Sequence, residues 1–228
     1  MSTRRFSGVL FDCDGVLVDS EPLTNGVLRE MLHELGWPIT EQECISLFIG
    51  RALKDRWPVI LEHTGVRIDE GWITEFRERR DQLLRKHLVP IPGAYDAVAA
   101  ASRIFHSRIA CATGADLAKA TMQLEVTGIA PFFGDRVFSG MDLPRSKPAP
   151  DVYLLAARTL GIDPSEAIVV EDTVSGVVAG VAAGATVIGF SSGAPTSTDP
   201  AELLAVGASR VCAEMKEIAE LISGCVPI

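Results

Sequence analysis

Two textures alternate along this chain of 228 residues, and the alternation limits its folds more than any other feature. Short apolar runs of strand length stand at Gly8–Phe11, Ile109–Ala112, Arg136–Phe138, Ala167–Val170 and Thr186–Phe190. Each is nearly continuous in hydrophobicity, as in parallel strands covered on both faces. Helical patterns lie between them. Ala94–Phe105 sets Ala97, Val98, Ala101, Ile104 and Phe105 on one face. Asp151–Leu160 follows Pro148 and Pro150, which suit a helix start, and Thr173–Ala183 groups Val174, Val177, Val178 and Val181. Strands alternating with helices predict an α/β fold built on a doubly wound, Rossmann-like parallel sheet.

One segment breaks the alternation. From about Glu21 to His87 no strand pattern occurs. Leu23, Val27, Met31 and Leu35 are spaced by four, with Leu28 and Leu32 beside them, and Gly36 ends that helix. Thr40–Phe48 and Leu53–His63 read as further helices, with Pro58 kinking or starting the second. Asp69–Leu88 reads as a charged amphipathic helix with Trp72, Ile73, Phe76, Leu83 and Leu84 as its apolar set. Val89 to Gly93 is a Pro-rich linker. The expected organisation is a core of residues 1–19 and 89–228, with a small all-helical domain of residues 20–88 inserted after the first strand.

Charge and cysteines bound the partners. Thirty acidic and 21 basic residues give a net charge of −9, which argues against nucleic acid polymers as partners. No apolar stretch approaches the ~20 residues that span a bilayer, and Met1–Ser7 makes a poor signal peptide, so a membrane partner is not expected. Cys13, Cys44, Cys111, Cys212 and Cys225 are scattered, odd in number and without a Cys-x-x-Cys pair. They read as reduced thiols in a cytoplasmic protein.

Four places carry chemistry. The first strand runs into Asp12-Cys13-Asp14-Gly15. In an open parallel sheet the ligand crevice lies beyond the carboxyl ends of the strands, so Asp12 falls where a site belongs. Two carboxylates two residues apart suit a nucleophile and a general acid/base, although a solvated turn looks the same. Thr113-Gly114 follows the second strand, where a hydroxyl and backbone N–H groups can hold phosphate oxygens or simply cap a helix. Lys147 is pinned before Pro148 and can offset carboxylates and grip a phosphate. Glu171-Asp172 follows the fourth strand, and buried acids side by side call for a cation, with Mg²⁺ suited to hard oxygen ligands. Together they make an inventory for phosphoryl transfer.

With these residues in this order, the chain resembles the haloacid dehalogenase superfamily, in its phosphatase and phosphomutase branch with a helical cap. The resemblance rests on Asp12 to Ser20, on Thr113, on Lys147-Pro148, and on Glu171-Asp172 followed by Gly176 and Ala182-Ala183-Gly184. It implies that Asp12 is a nucleophile that becomes an aspartyl phosphate. Asp14 would protonate the leaving oxygen and then activate water. Mg²⁺ would be held by the Asp12 carboxylate, the Asp14 carbonyl and Asp172, with Glu171 ligating or supporting through water. Thr113, Gly114 and Lys147 would bind the phosphoryl group. The cap loop Gly50-Arg51-Ala52-Leu53-Lys54 would bring Gly50, Arg51 or Lys54 to an anionic substrate.

The implied activity is a Mg²⁺-dependent phosphatase of a small phosphorylated metabolite, a sugar phosphate, in a monomer or weak homodimer. A hexose-phosphate mutase of the β-phosphoglucomutase type is the nearest alternative. It is weakened because Pro22-Leu23-Thr24 stands where that branch has a hinge His, and Leu53 where it has an Arg. A phospho-acceptor signalling module without turnover shares the Asp, Thr and Lys inventory but has its acids in another order.

Overall fold

The computed structural model describes residues 6–49 and 53–225. They divide into two compact units, with the boundaries between Asp19 and Ser20 and between Leu88 and Val89.

The larger unit is an α/β sandwich. Its strands are β1 (Gly8–Phe11), β2 (Ile109–Thr113), β3 (Val137–Ser139), β4 (Ala167–Glu171), β5 (Thr186–Phe190) and β6 (Arg210–Cys212). They form one sheet in the order β3-β2-β1-β4-β5-β6, parallel throughout. β1, β2 and β4 are buried at every residue, which explains their unbroken apolar character. The sheet is thus the doubly wound parallel one that the alternation predicts. β3 sits one residue later than its expected position. β6 escaped the pattern because its three residues end the sheet and leave Arg210 exposed.

The smaller unit contains helices α1 (Glu21–Glu34), α2 (Glu41–Phe48), α3 (Trp57–Thr64) and α4 (Glu70–His87). Pro58 starts α3 rather than kinking it. Thr40 and Glu43 close a capping box on α2, and Asp69 caps α4 by accepting from the Trp72 N–H at 2.9 Å. Val27, Leu28, Met31 and Leu32 of α1 pack with Ile60, Ile73 and Phe76. The buried stripe of α4 is Ile73, Phe76, Arg80 and Leu84 rather than the expected set. Trp72 and Leu83 are only partly covered, because a stripe spaced 3-4-4 leaves them on its flank.

The larger unit's helices are α5 (Ala94–Ile104), α6 (Leu117–Val126), α7 (Ala130–Phe133), α8 (Asp151–Leu160), α9 (Val174–Ala182), α10 (Pro200–Ala205) and α11 (Met215–Ser223). One apolar cluster joins Leu10 and Val169 of the sheet to Val152, Tyr153, Ala156 and Val177 of α8 and α9. β1 stands at the switch point. The chain leaves it towards β2 and β3 on one side and returns through β4 on the other, which opens a crevice at the carboxyl ends of these strands. The registers Phe11↔Cys111 and Phe11↔Val170 hold those ends nearly level. Asp12, Thr113 and Glu171 therefore share one edge of the sheet.

Candidate active site

Asp12 follows β1 directly, and its N–H donates to the Val170 carbonyl at 3.0 Å, which extends the β1–β4 pairing by one residue. Its side chain is buried, and its Oδ1 accepts from Lys147 Nζ at 2.7 Å. Lys147 Nζ also donates to Glu171 Oε1 at 2.6 Å and lies 4.9 Å from the centre of the Tyr153 ring. Tyr153 of α8 donates its hydroxyl to the same Glu171 oxygen at 2.7 Å. Glu171 Oε2 in turn accepts from the Asp172 and Thr173 N–H groups and the Thr173 hydroxyl, at 3.0, 3.1 and 3.1 Å. Five donors thus surround a fully buried carboxylate.

One ammonium between two buried acids sets their ionisation. Burial pushes the Asp12 carboxyl up to about 7, against the pull of Lys147 and with the push of Glu171 and Asp14. Burial acts upward on Glu171 too, but Lys147, Tyr153 and the Thr173 N–H outweigh it and hold it below the usual carboxylate value. Burial opposes charge on Lys147, yet Asp12 and Glu171 leave its ammonium held above its ordinary range. Glu171 is the settled anion of this cluster, and Asp12 is the carboxyl left short of positive charge.

That shortage is where a cation fits. Oxygens of Asp12, Glu171 and Asp172 lie within 4.8 Å of one another, a donor set of hard carboxylate oxygens. Gly15, at φ +75°, leaves room for Asp172: a Cβ there would sit 2.0 Å from Asp172 Oδ2. The glycine after the two aspartates thus serves more than the turn, because it lets the motif close on the second acidic pair.

Thr113 ends β2 and is buried, with its Oγ1 accepting from the Ala115 N–H at 3.0 Å. It does not cap α6. That helix starts at Leu117, and Asp116 caps it by accepting from the Lys119 N–H at 2.8 Å. Gly114 is exposed at the same strand end. The Thr-Gly pair thus stands at the end of the strand, and the helix begins beyond it at Leu117.

Lys119 and Gln123 were not anticipated. Both are buried on α6. Lys119 Nζ donates to the two carboxylate oxygens of Asp14 at 2.8 and 2.9 Å, and Gln123 Nε2 donates to Asp14 Oδ1 at 2.8 Å. The Cys13 thiol donates to Gln123 Oε1 at 3.6 Å. The signal available in sequence was two polar residues four apart in a helix that follows a site-bearing strand. Gly176 of α9 stands against the Glu171 carboxylate. A Cβ there would lie 1.7 Å from Glu171 Oε1, so its bare backbone accommodates the buried carboxylate. Gly180 does meet the sheet, through Val187 and Val169.

Of the cap residues singled out, Gly50 and Arg51 lie outside the described residues, as does the side chain of Lys54. All five cysteines are free thiols, and four are buried. Among the described residues no helix is long and apolar enough to cross a membrane.

A parallel sheet with a carboxylate pair, a lysine and an acidic pair at its switch point has the groups that phosphoryl transfer needs. The model of the haloacid dehalogenase-like hydrolase family matches residues 6–184, and the chain belongs to that family. It is 31% identical over 184 residues to the fructose-1-phosphate phosphatase YqaB of Escherichia coli, covering 79% of this chain and 94% of that protein. It is 30% identical over 186 residues to the chloroplastic protein SUPPRESSOR OF QUENCHING 1 of Arabidopsis thaliana, covering 78% of this chain but only 17% of that protein. A CBBY-like protein of the same plant is 31% identical over 212 residues, covering 85% of this chain and 66% of that protein. Among solved structures, a haloacid dehalogenase-like protein from Agrobacterium tumefaciens superposes with a TM-score of 0.82 at 28% identity, covering 96% of this chain and 98% of that one.

Proposed function

We propose that the chain is a phosphoric monoester hydrolase that acts on a small phosphorylated metabolite, a sugar phosphate, through an aspartyl-phosphate intermediate. The single observation that carries this reading is the placing of Asp12. A buried carboxylate at the end of the central strand, 2.7 Å from an ammonium and beside two further acids, suits attack on phosphorus better than any structural task. The fructose-1-phosphate phosphatase relative supports the substrate class.

An oxygen of Asp12 attacks the phosphorus as the bond to the sugar oxygen breaks. Asp14 gives its proton to that oxygen, which leaves as the alcohol. Water then attacks the aspartyl phosphate, Asp14 takes the proton, and inorganic phosphate leaves with Asp12 restored. Lys147 and the Thr113–Gly114 strand end hold the phosphoryl oxygens. Asp12 and Asp172, with the Asp14 carbonyl, would hold Mg²⁺. Glu171, its oxygens occupied by five donors, supports Lys147 and the metal site from behind. When bound, Mg²⁺ neutralises developing charge on the transferring phosphoryl group. The helical unit of residues 20–88 selects the substrate, with Gly50, Arg51 and Lys54 as the candidate contacts.

The test is Asp12→Asn, assayed on p-nitrophenyl phosphate and on hexose phosphates with Mg²⁺. Turnover falls by ~10⁴-fold or more if Asp12 is the nucleophile. Retention of metal-dependent hydrolysis by this variant would remove the reading.

A further inference from the structure

The Asp14 clamp is not explained by placing Asp14 in a site, because a solvated turn aspartate needs no partners. Here α6 spends two buried polar side chains on it. Lys119 and Gln123 lie four residues apart, one turn of helix, and both reach back to the β1 loop. Burying a lysine is costly unless its charge is met, and Lys119 is met by Asp14 at 2.8 and 2.9 Å on its two oxygens. Gln123 is completely buried, and its amide has a direction. The Cys13 thiol donates to Oε1 at 3.6 Å, and Nε2 on the other side of the amide donates to Asp14 at 2.8 Å.

We propose that Lys119 and Gln123 are positioning residues that fix the Asp14 carboxylate in its proton-accepting geometry for hydrolysis of the phosphoenzyme, with Cys13 orienting Gln123. This rests on the phosphatase reading above. A carboxylate given hydrogen bonds by an ammonium and an amide presents itself as an acceptor. That is the form needed when water attacks the aspartyl phosphate and loses its proton. An Asp14 free to rotate would serve that step far less well, since about 1 Å of misplacement can cost ~10²-fold. The first step is less sensitive when the leaving group needs no proton, as with p-nitrophenolate.

Slowing only the second step of a two-step covalent reaction has a distinct signature. The kcat falls, KM falls with it, and kcat/KM, which reports events up to phosphoenzyme formation, stays nearly constant. The experiment compares Lys119→Met, Gln123→Met and Lys119→Arg with the unaltered protein on p-nitrophenyl phosphate, by steady-state and rapid-mixing kinetics with saturating Mg²⁺. Lys119→Met is expected to lower kcat and KM together by ~30- to 100-fold, and Gln123→Met by ~10-fold. Both should show a burst of p-nitrophenolate approaching one equivalent per site, and Lys119→Arg should recover much of kcat. The proposal is overturned if folded variants lose kcat/KM as much as kcat with no burst, or if they keep full kcat. Should Lys119→Met fail to fold, Gln123→Met decides. Failure of the phosphatase reading looks different: the unaltered protein would then show no turnover that depends on Asp12.

Discussion

At the scale of single residues, the site is governed by a shortage of positive charge. Lys147 stands 2.7 Å from Asp12 and 2.6 Å from Glu171 and cannot satisfy both. The Asp12 carboxyl, raised to about 7 chiefly by burial, binds its proton more tightly in the native chain than in the unfolded one. Its contribution to stability is complete below the ordinary 3.8 and is lost as pH rises through about 7. Glu171 has the opposite sign. Held below 4.5, it contributes above that value and loses its contribution only as pH falls through its lowered pKa, so it changes little between pH 5 and 8. Metal ligands must also be deprotonated to bind. Mg²⁺ is therefore expected to raise the melting temperature more at pH 8 than at pH 5, as followed by scanning fluorimetry, and Asp12→Asn should erase the difference. Equal shifts at both pH values would take Asp12 out of the cation site. Asp12, Lys147, Glu171 and Asp172 were legible as residues because each follows a buried strand or sits beside a proline. Lys119, Gln123 and Tyr153 were not. Polar groups on a helix usually face solvent, and Tyr153 reads as one more apolar residue of α8, so their burial against acids depends on tertiary contacts that no local pattern carries.

At the scale of elements, α9 shows how two similar glycines separate into two tasks. Gly176 faces the Glu171 carboxylate, while a Cβ on Gly180 would lie 2.8 Å from Val187 Cγ2 and 3.1 Å from Val169 Cγ1. Gly176→Ala is expected to push Glu171 aside, loosen Lys147 and lower kcat by ~10- to 100-fold. Gly180→Ala overpacks the helix on the sheet by ~1–3 kcal/mol and should lower the melting temperature by ~2–10 °C, leaving kcat per folded molecule within ~3-fold. Calorimetry alongside kinetics distinguishes the two, and the reverse pattern would refute the assignment. The same contrast explains which elements the sequence revealed. β1, β2 and β4 are buried on both faces and therefore appear as apolar runs. β6 has three residues with Arg210 exposed, and α7 has only four residues, too few to show a period.

At the scale of the whole molecule, the chain devotes a compact helical unit, Ser20–Leu88, to something other than the sheet. If that unit selects substrate, Arg51→Ala combined with Lys54→Ala should raise KM for a hexose phosphate by ~10-fold while altering p-nitrophenyl phosphate turnover by less than ~3-fold. A uniform loss on both substrates would remove these two residues from substrate choice. The net charge of −9 fits the same picture, since an acidic protein meets an anionic substrate through local cations such as Lys147 rather than through its overall field. The separation of Asp12 from Lys147, 135 positions along the chain, also has a consequence for biogenesis. At roughly 5–20 residues per second, a ribosome releases the aspartate about 7–27 s before its counter-ion. β4, which carries Glu171 and flanks β1, emerges later still. Until both have emerged the Asp12 carboxylate has neither Lys147 nor the second acidic pair beside it, so the crevice cannot assemble around the first strand as that strand is made.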